Sequence, residues 1–280
     1  MIKTPLSTVL GGAFWTPEAT VINGAKLSFE TVMKKLFANN EQGFAYDPND
    51  LSTMFQDAAG TVPVTGVGQP VGLIRDKSGR NNHAYQTTSA SRPILRQNAV
   101  TGAYYLELDG SDDFFVTNSI DFTATDKVSL FAGVRKLSDT VSGMLFELSS
   151  SIGSYNGVFN VAAPSIGGNP EYVFSSKGTT SAISRATGFV APISSVVSAI
   201  GDILKPRSAI RVNGVVKQEA LLSQGTGNFG NYPLYIGRRG GTSVPFNGHL
   251  YSLIGIGRLT TDSETIALEK SIAKNVGVTL

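Results

Sequence analysis

The chain has 280 residues, a formal net charge of +2 and no cysteine. Nearly balanced charge without any Lys/Arg run gives no electrostatic basis for binding nucleic acid or a membrane surface, and the lack of cysteine excludes a disulfide framework and thiolate zinc sites. No stretch approaches the ~20 apolar residues of a membrane span. After Lys3, Pro5, Ser7, Thr8 and Gly11-Gly12 break up what would be the apolar core of a signal peptide, so none is expected.

The 31 glycines, where average usage would give roughly twenty, are spread along the length and indicate many tight turns. Residues 1–43 read as an arm. In it Phe29, Val32, Met33, Leu36 and Phe37 fall at i, i+3, i+4, i+7 and i+8, which predicts a short helix with one apolar face. Ser28 is placed to cap it and Asn39-Asn40 to end it. Phe14-Trp15 precedes Thr16-Pro17 upstream. These apolar residues either lie against the chain's own β domain or dock the arm onto a partner or a second copy.

From Gly43 to Leu95 the chain is turn-rich, punctuated by Pro48, Pro63, Pro70 and Asp/Asn/Gly clusters. Tyr104–Thr117 reads as a hairpin that turns at Asp109-Gly110, with Leu106 and Leu108 on one face. Apolar strands follow at Val128–Val134 and Met144–Leu148, then a reversal at Asn156-Gly157 and a short strand at Tyr172–Phe174. Residues 193–204 have helical spacing in Ile193, Val196, Val197, Ile200 and Leu204 but poor helix formers between them. Asn213-Gly214 between two short apolar segments predicts a type I′ hairpin. Leu234–Gly237 and Leu250–Ile256 read as buried strands. A capping box at Thr261 and Glu264 opens a helix packed through Ile266, Leu268, Ile272 and Val276, and Gly277 stops it.

The order of pieces from Ile210 to Arg258, with P-L-Y-I-G-R at 233–238 and F-N-G-H-L at 246–250, resembles the end of a laminin-G-like, concanavalin A-like lectin/glucanase jelly roll. Tyr46–Asp57 (Y-D-P-N-D-L-S-T-M-F-Q-D), Asp76–Ala84 (D-K-S-G-R-N-N-H-A) and the closing helix with G-V-T-L resemble blocks of tailed-bacteriophage virion proteins. The resemblance implies an all-β, two-sheet antiparallel jelly-roll sandwich over 44–280, entered through a lead-in at 44–100. It also implies a helix-containing attachment arm at 1–43, a C-terminal helix, and a strand near Val196–Ile200. It places the protein on a virion assembled in the host cytoplasm, as head decoration, collar, fibre or tail appendage. Capsid, collar or tail proteins, further copies of the chain and a host-surface glycan would be its partners. A carbohydrate- or receptor-binding lectin and a glycan-degrading glycoside hydrolase are the alternatives.

Catalytic signals are weak. Glu107, Asp109 and Asp112 approximate the E-x-D-x-x-E strand of glycosidases, but Asp112 is a methylene short and Gly110 turns the chain before it, so paired-carboxylate geometry is not expected. His83 and His249 sit in structural contexts, and G-T-G-N-F-G at 225–230 follows no clear strand and opens no helix. No catalytic residue is therefore assigned. Sugar binding takes an exposed aromatic beside fixed polar groups, which nominates Tyr155, Tyr232, Tyr251, Arg238 and Arg239. Ca²⁺, the one cofactor considered, would find oxygen ligands in Asp76, Asn81 and Asn82 or in Asp109, Asp112 and Asp113; the same residues serve equally as turn formers.

Overall fold

A computed structural model describes residues 29–280. After a helix, α1 (Phe29–Leu36), come β1 (Gly43–Tyr46), β2 (Met54–Phe55), β3 (Leu73–Ile74), β4 (Ala84–Tyr85) and β5 (Ile94–Gln97). Next are β6 (Tyr104–Asp109), β7 (Phe115–Asp121), β8 (Lys127–Lys136), β9 (Met144–Leu148), β10 (Val158–Ala162) and β11 (Glu171–Lys177). The chain continues through β12 (Ser181–Thr187), β13 (Ile193–Asp202), β14 (Arg207–Val212), β15 (Val215–Ala220), β16 (Asn231–Ile236) and β17 (Asn247–Ile256) to α2 (Asp262–Val276).

The strands form two antiparallel sheets packed face to face. One has eight strands in the order β15-β14-β13-β8-β17-β6-β5, with β1 also paired to β17; the other has nine in the order β12-β11-β10-β9-β16-β7-β4-β3-β2. Alternation along each strand fills the space between them: Leu130, Ala132 and Val134 from one sheet meet Phe146, Phe159, Tyr172 and Phe174 from the other. The expected sandwich is what the chain builds. The ambiguous segment is strand β13, and Asn213-Gly214 turns β14 into β15 with both residues at positive φ, 51° and 77°.

Two expectations need correction. Tyr104–Thr117 is not a hairpin: β6 pairs with β17 and β5, whereas β7 pairs with β16 and β4 in the other sheet. Asp109-Gly110 therefore carries the chain across the sandwich. Nor does Ile266 pack. It is 46% exposed, while Thr265, Leu268, Glu269 and Ile272 form the buried stripe of α2. The capping box at Thr261 and Glu264 and the left-handed Gly277 cap are present.

Both helices lie on the outer face of the eight-stranded sheet. Gly133 lets α2 come close, since a Cβ there would sit 2.6 Å from Ile272 Cγ2. Glu269 is buried beneath α2 and accepts hydrogen bonds from Ser198 Oγ (2.5 Å) and Arg211 Nε (2.7 Å). Arg258 clamps the layer, donating to Glu264, Glu41 and the Leu36 carbonyl. Of the residues with two open readings, Met33, Leu36 and Phe37 are buried against Tyr251, Ile254 and Ile256, with Phe29 and Val32 packed beside them. Their apolar face packs against the chain's own β domain. Phe14, Trp15 and the Ser28 cap lie outside the described residues.

The lead-in is stitched to the sandwich by the two motif blocks, which bond to each other. Asp76 accepts from Ala45 N, Ser78 N, Ser78 Oγ and Asn82 N; Tyr46 donates to the Asn82 carbonyl at 2.5 Å; Lys77 pairs with Asp50. Asp50 also caps the 3-10 turn at Leu51–Thr53. Each block thus supplies the other's hydrogen-bond partners.

Candidate functional site

The outer face of the nine-stranded sheet carries no helix among the described residues, and its register lays out one continuous row of outward side chains. On the lead-in side Phe55 stands beside Leu73, Leu73 beside Tyr85, Tyr85 beside Val116, and Val116 beside Tyr235. The row continues from Tyr235 to Glu147, Asn160 and Ser175. Along each strand these residues alternate with core residues: Glu147 lies between Phe146 and Leu148, and Asn160 between Phe159 and Val161. Two hollows open on this face.

The first, of about 180 Å³, lies over β9–β11. Its floor is apolar, made of Met144, Ala162 and Val173 with Val244 beside them. Its walls include Asn160, Ser175, Ser142, Ser165 and Arg239. The loops at 149–157 and 237–246 lean over the strands here, which is why Glu147 is 0% and Asn160 3% exposed although both point outward. Glu147 is held by three donors, Ile152 N at 2.5 Å, Arg239 Nε at 2.8 Å and Asn160 Nδ2 at 3.3 Å. Behind Ser165, Glu171 is paired with Arg185 at 3.0 Å, and Ser165 Oγ donates to it. Both carboxylates are committed to their arginines. What remains facing the cavity is a set of hydroxyl and amide groups and the rest of the Arg239 guanidinium over an apolar floor.

The second hollow is wider, about 640 Å³, and lies at the lead-in end of the row among Leu73, Arg75, His83, Tyr85 and Asn118. Arg75 stacks its guanidinium 4.4 Å above the Phe55 ring. His83 accepts a hydrogen bond at Nδ1 from Asp76 N, and burial holds its pKa below the usual histidine value.

The nominated residues divide. Arg239 is placed in the wall of the first hollow. Arg238 is occupied within its own loop, donating to the Thr242 carbonyl. Tyr232 is half-buried on the core edge against Tyr155, ring centroids 5.2 Å apart. Tyr251 is 1% exposed under the helices and receives a hydrogen bond from Asn98, so it presents nothing to a ligand. His249, stacked on Tyr105 at 4.1 Å, is pushed down to about 4 by burial and by Arg135.

Asp76 and Asn82, nominated as Ca²⁺ ligands, are both engaged in hydrogen bonds within the fold. Both Asp76 oxygens are filled by the four donors named above, and Asn82 Nδ2 donates to Gln42 and to the Gly43 carbonyl. Asn81 lines the wider hollow, as does Asp76. Asp109, Asp112 and Asp113 do converge, with one oxygen of each within 4.8 Å of the others. That oxygen set suits a hard cation. The same carboxylates also make the turn, since Asp109 accepts from Ser111 N, Asp112 from Ser91 Oγ and Asp113 from Asp109 N. Burial and the neighbouring carboxylates raise Asp113 to about 6.

Sequence reasoning misses Glu147, Asn160, Ser175, Tyr85, Tyr235 and Arg75. A usable signal exists for two of them: M-L-F-E-L and V-F-N-V-A each carry one polar residue inside an apolar strand, which costs free energy unless it is paired or serves a ligand.

No protein-family model and no curated protein matches the chain. Among solved structures it is similar to the botulinum neurotoxin serotype D ligand-binding domain in complex with N-acetylneuraminic acid, with a TM-score of 0.57, 10% identity, and coverage of 86% of this chain and 52% of that one. It is also similar to a botulinum neurotoxin type C structure described by its interaction with two ganglioside molecules, with a TM-score of 0.56, 10% identity, and coverage of 85% and 53%. A third is the binding domain of botulinum neurotoxin DC in complex with rat synaptotagmin II, with a TM-score of 0.55, 10% identity, and coverage of 84% and 52%. At this identity the shared property is the β-sandwich fold. The chain spans about half the length of the structures it matches.

Proposed function

We propose that the protein is a non-enzymatic, carbohydrate-binding adhesion module that holds a sugar in the hollow over β9–β11. The observation that carries this is the hollow's construction, an apolar floor of Met144, Ala162 and Val173 ringed by Asn160, Ser175 and Arg239. A pyranose has the matching chemistry: one C–H face for the floor and equatorial hydroxyls for the amide, hydroxyl and guanidinium groups. At about 180 Å³ the space is below the roughly 300 Å³ of a drug-sized site, so one ring fills it. Binding rather than cleavage is supported by Glu147 and Glu171, which are committed to Arg239 and Arg185 and not poised as acid and nucleophile. The structural neighbours supply a supporting parallel, since two of them are described with a ganglioside or a sialic acid.

The setting we propose is the surface of a tailed-phage particle, in several copies bound to capsid, collar or tail proteins. The blocks at 46–57, 76–84 and 261–280 support it by resemblance. A glycan array probed with the intact chain tests the binding reading: it expects hits that Asn160→Ala and Ser175→Ala weaken at least about tenfold, and an array with no hit contradicts it. Immunogold labelling of particles tests the setting, with label on the virion expected and label only in the unassembled fraction contrary to it.

A further inference from the structure

We infer that the wider hollow at the lead-in end of the same sheet face is a second, anion-specific subsite, shaped for the carboxylate or sulfate of an acidic sugar. This rests on the carbohydrate-binding reading for the nature of the ligand, but not for its charge. The groups that meet there are donors. Among the described residues Arg75 forms no salt bridge; its guanidinium carbon sits 4.4 Å from the Phe55 ring centroid, and the side chain lines the hollow. His83 takes the Asp76 amide proton at Nδ1, so its own proton is on Nε2, on the opposite side of the ring. Asn118 accepts a hydrogen bond from the Tyr85 hydroxyl on Oδ1 at 3.3 Å, which leaves its amide protons as donors at the hollow it lines.

The one carboxylate lining the hollow is Asp76, and it does not compete for Arg75. Its two oxygens already accept from Ala45 N, Ser78 N, Ser78 Oγ and Asn82 N. That commitment belongs to the lock between the two motif blocks, so the cation beside it has no counter-ion among the described residues. Tyr85 and Leu73 supply ring and methyl surface at the edge of the same space, the complement of a sugar's apolar face. An anion bridging Arg75 and the neutral histidine's Nε2–H would gain charge-assisted hydrogen bonds. A neutral sugar would gain none of them. The hollow lies four strand positions along the row from Asn160, roughly 19 Å at the usual strand spacing, and is therefore a separate place and not an extension of the first.

The test compares 3′-sialyllactose and an oligogalacturonide with lactose and with the carboxyl-reduced oligogalacturonide, titrated into the full chain by calorimetry. Inorganic sulfate is titrated separately and followed on the His83 ring resonances. The acidic ligands are expected to bind roughly tenfold or more tightly than their neutral counterparts, with the difference shrinking as salt is raised. Arg75→Gln is expected to erase the preference and the sulfate response while the melting temperature holds. Asn160→Ala is expected to weaken acidic and neutral ligands alike. Equal binding of acidic and neutral ligands, or a preference that survives Arg75→Gln, overturns the anion subsite and leaves the carbohydrate reading standing. Arg75-dependent sulfate binding with no response to any glycan does the opposite: the anion site stands and the carbohydrate reading falls. Sulfate binding that Arg75→Gln leaves unchanged also overturns the subsite.

Discussion

Replacing Arg239 by Met isolates the pair that builds the wall of the hollow over β9–β11. Glu147 is 0% exposed, and Arg239, 31% exposed at its side chain, is its only cationic partner among the described residues, at 2.8 Å. Methionine keeps most of the aliphatic bulk of the arginine, so the change removes charge more than packing. A buried carboxylate stripped of its partner costs about 3–5 kcal/mol. Here Ile152 N and Asn160 Nδ2 still donate to Glu147 and the arginine is partly solvated, which favours the lower end, about 3 kcal/mol. At roughly 2–4 °C per kcal/mol for a domain near this size, the melting temperature should fall by about 6–12 °C. Adding Glu147→Gln removes the stranded charge while retaining an acceptor for Ile152 N, and should restore most of the loss. Calorimetric melting of the wild type, the single and the double variant reads this out. A single variant within about 1 °C of wild type, or a double variant no more stable than the single, would refute the idea that the pair is a neutralised buried charge.

Other outcomes follow from the same contacts. Asp76→Ala leaves the Ala45 and Asn82 amides without their acceptor and unlocks the two motif blocks, and should cost at least about 3 kcal/mol in urea unfolding. Gly133→Ala drives a methyl into Ile272 and Val276 and should cost about 1–3 kcal/mol, read by the same method. Asp113 is raised to about 6, so the folded state holds its proton where the unfolded chain has lost it; this destabilisation is absent below about pH 4, grows through pH 6 and is full above it. Asp113→Asn should therefore raise the melting temperature at pH 7.5 and change it little at pH 4. Glu264 is held down to about 2, chiefly by Arg258, so its contribution is full above pH 4.5 and is lost as pH falls toward 2. Arg258→Met should flatten that acid limb of a stability–pH profile.

Much of the fold is legible in the sequence because it is written locally. The Asn213-Gly214 turn, the Thr261–Glu264 box and the Gly277 cap each depend on residues within a few positions of one another. The sheet to which a strand belongs does not. Asp109-Gly110 turns the chain equally well into a hairpin or across the sandwich, and only the pairing of β6 with β17 and of β7 with β16 decides between them. The face of α2 is hard to read for a related reason: Glu269 looks like a solvent residue until Arg211 and Ser198, far away in sequence, neutralise it, and its burial rotates Ile266 outward. The site is less legible still. Arg239 can be nominated as a cation near a strand end, but Asn160, Glu147 and Ser175 become neighbours only through the register of β9, β10 and β11. Tyr251 is attractive as an aromatic in a polar-looking run, yet Asn98 and the α1 residues that cover it come from the distant N-terminal part of the chain.

Whether the open face of the nine-stranded sheet takes sugar in the hollow over β9–β11 is decided most directly by a crystal structure of the chain with its strongest glycan-array ligand. The expected result is a sugar ring seated on Met144, Ala162 and Val173 with hydroxyls on Asn160, Ser175 and Arg239. Ligand density at the Asp109–Asp113 turn or on the helix-covered sheet, with that hollow empty, would contradict it.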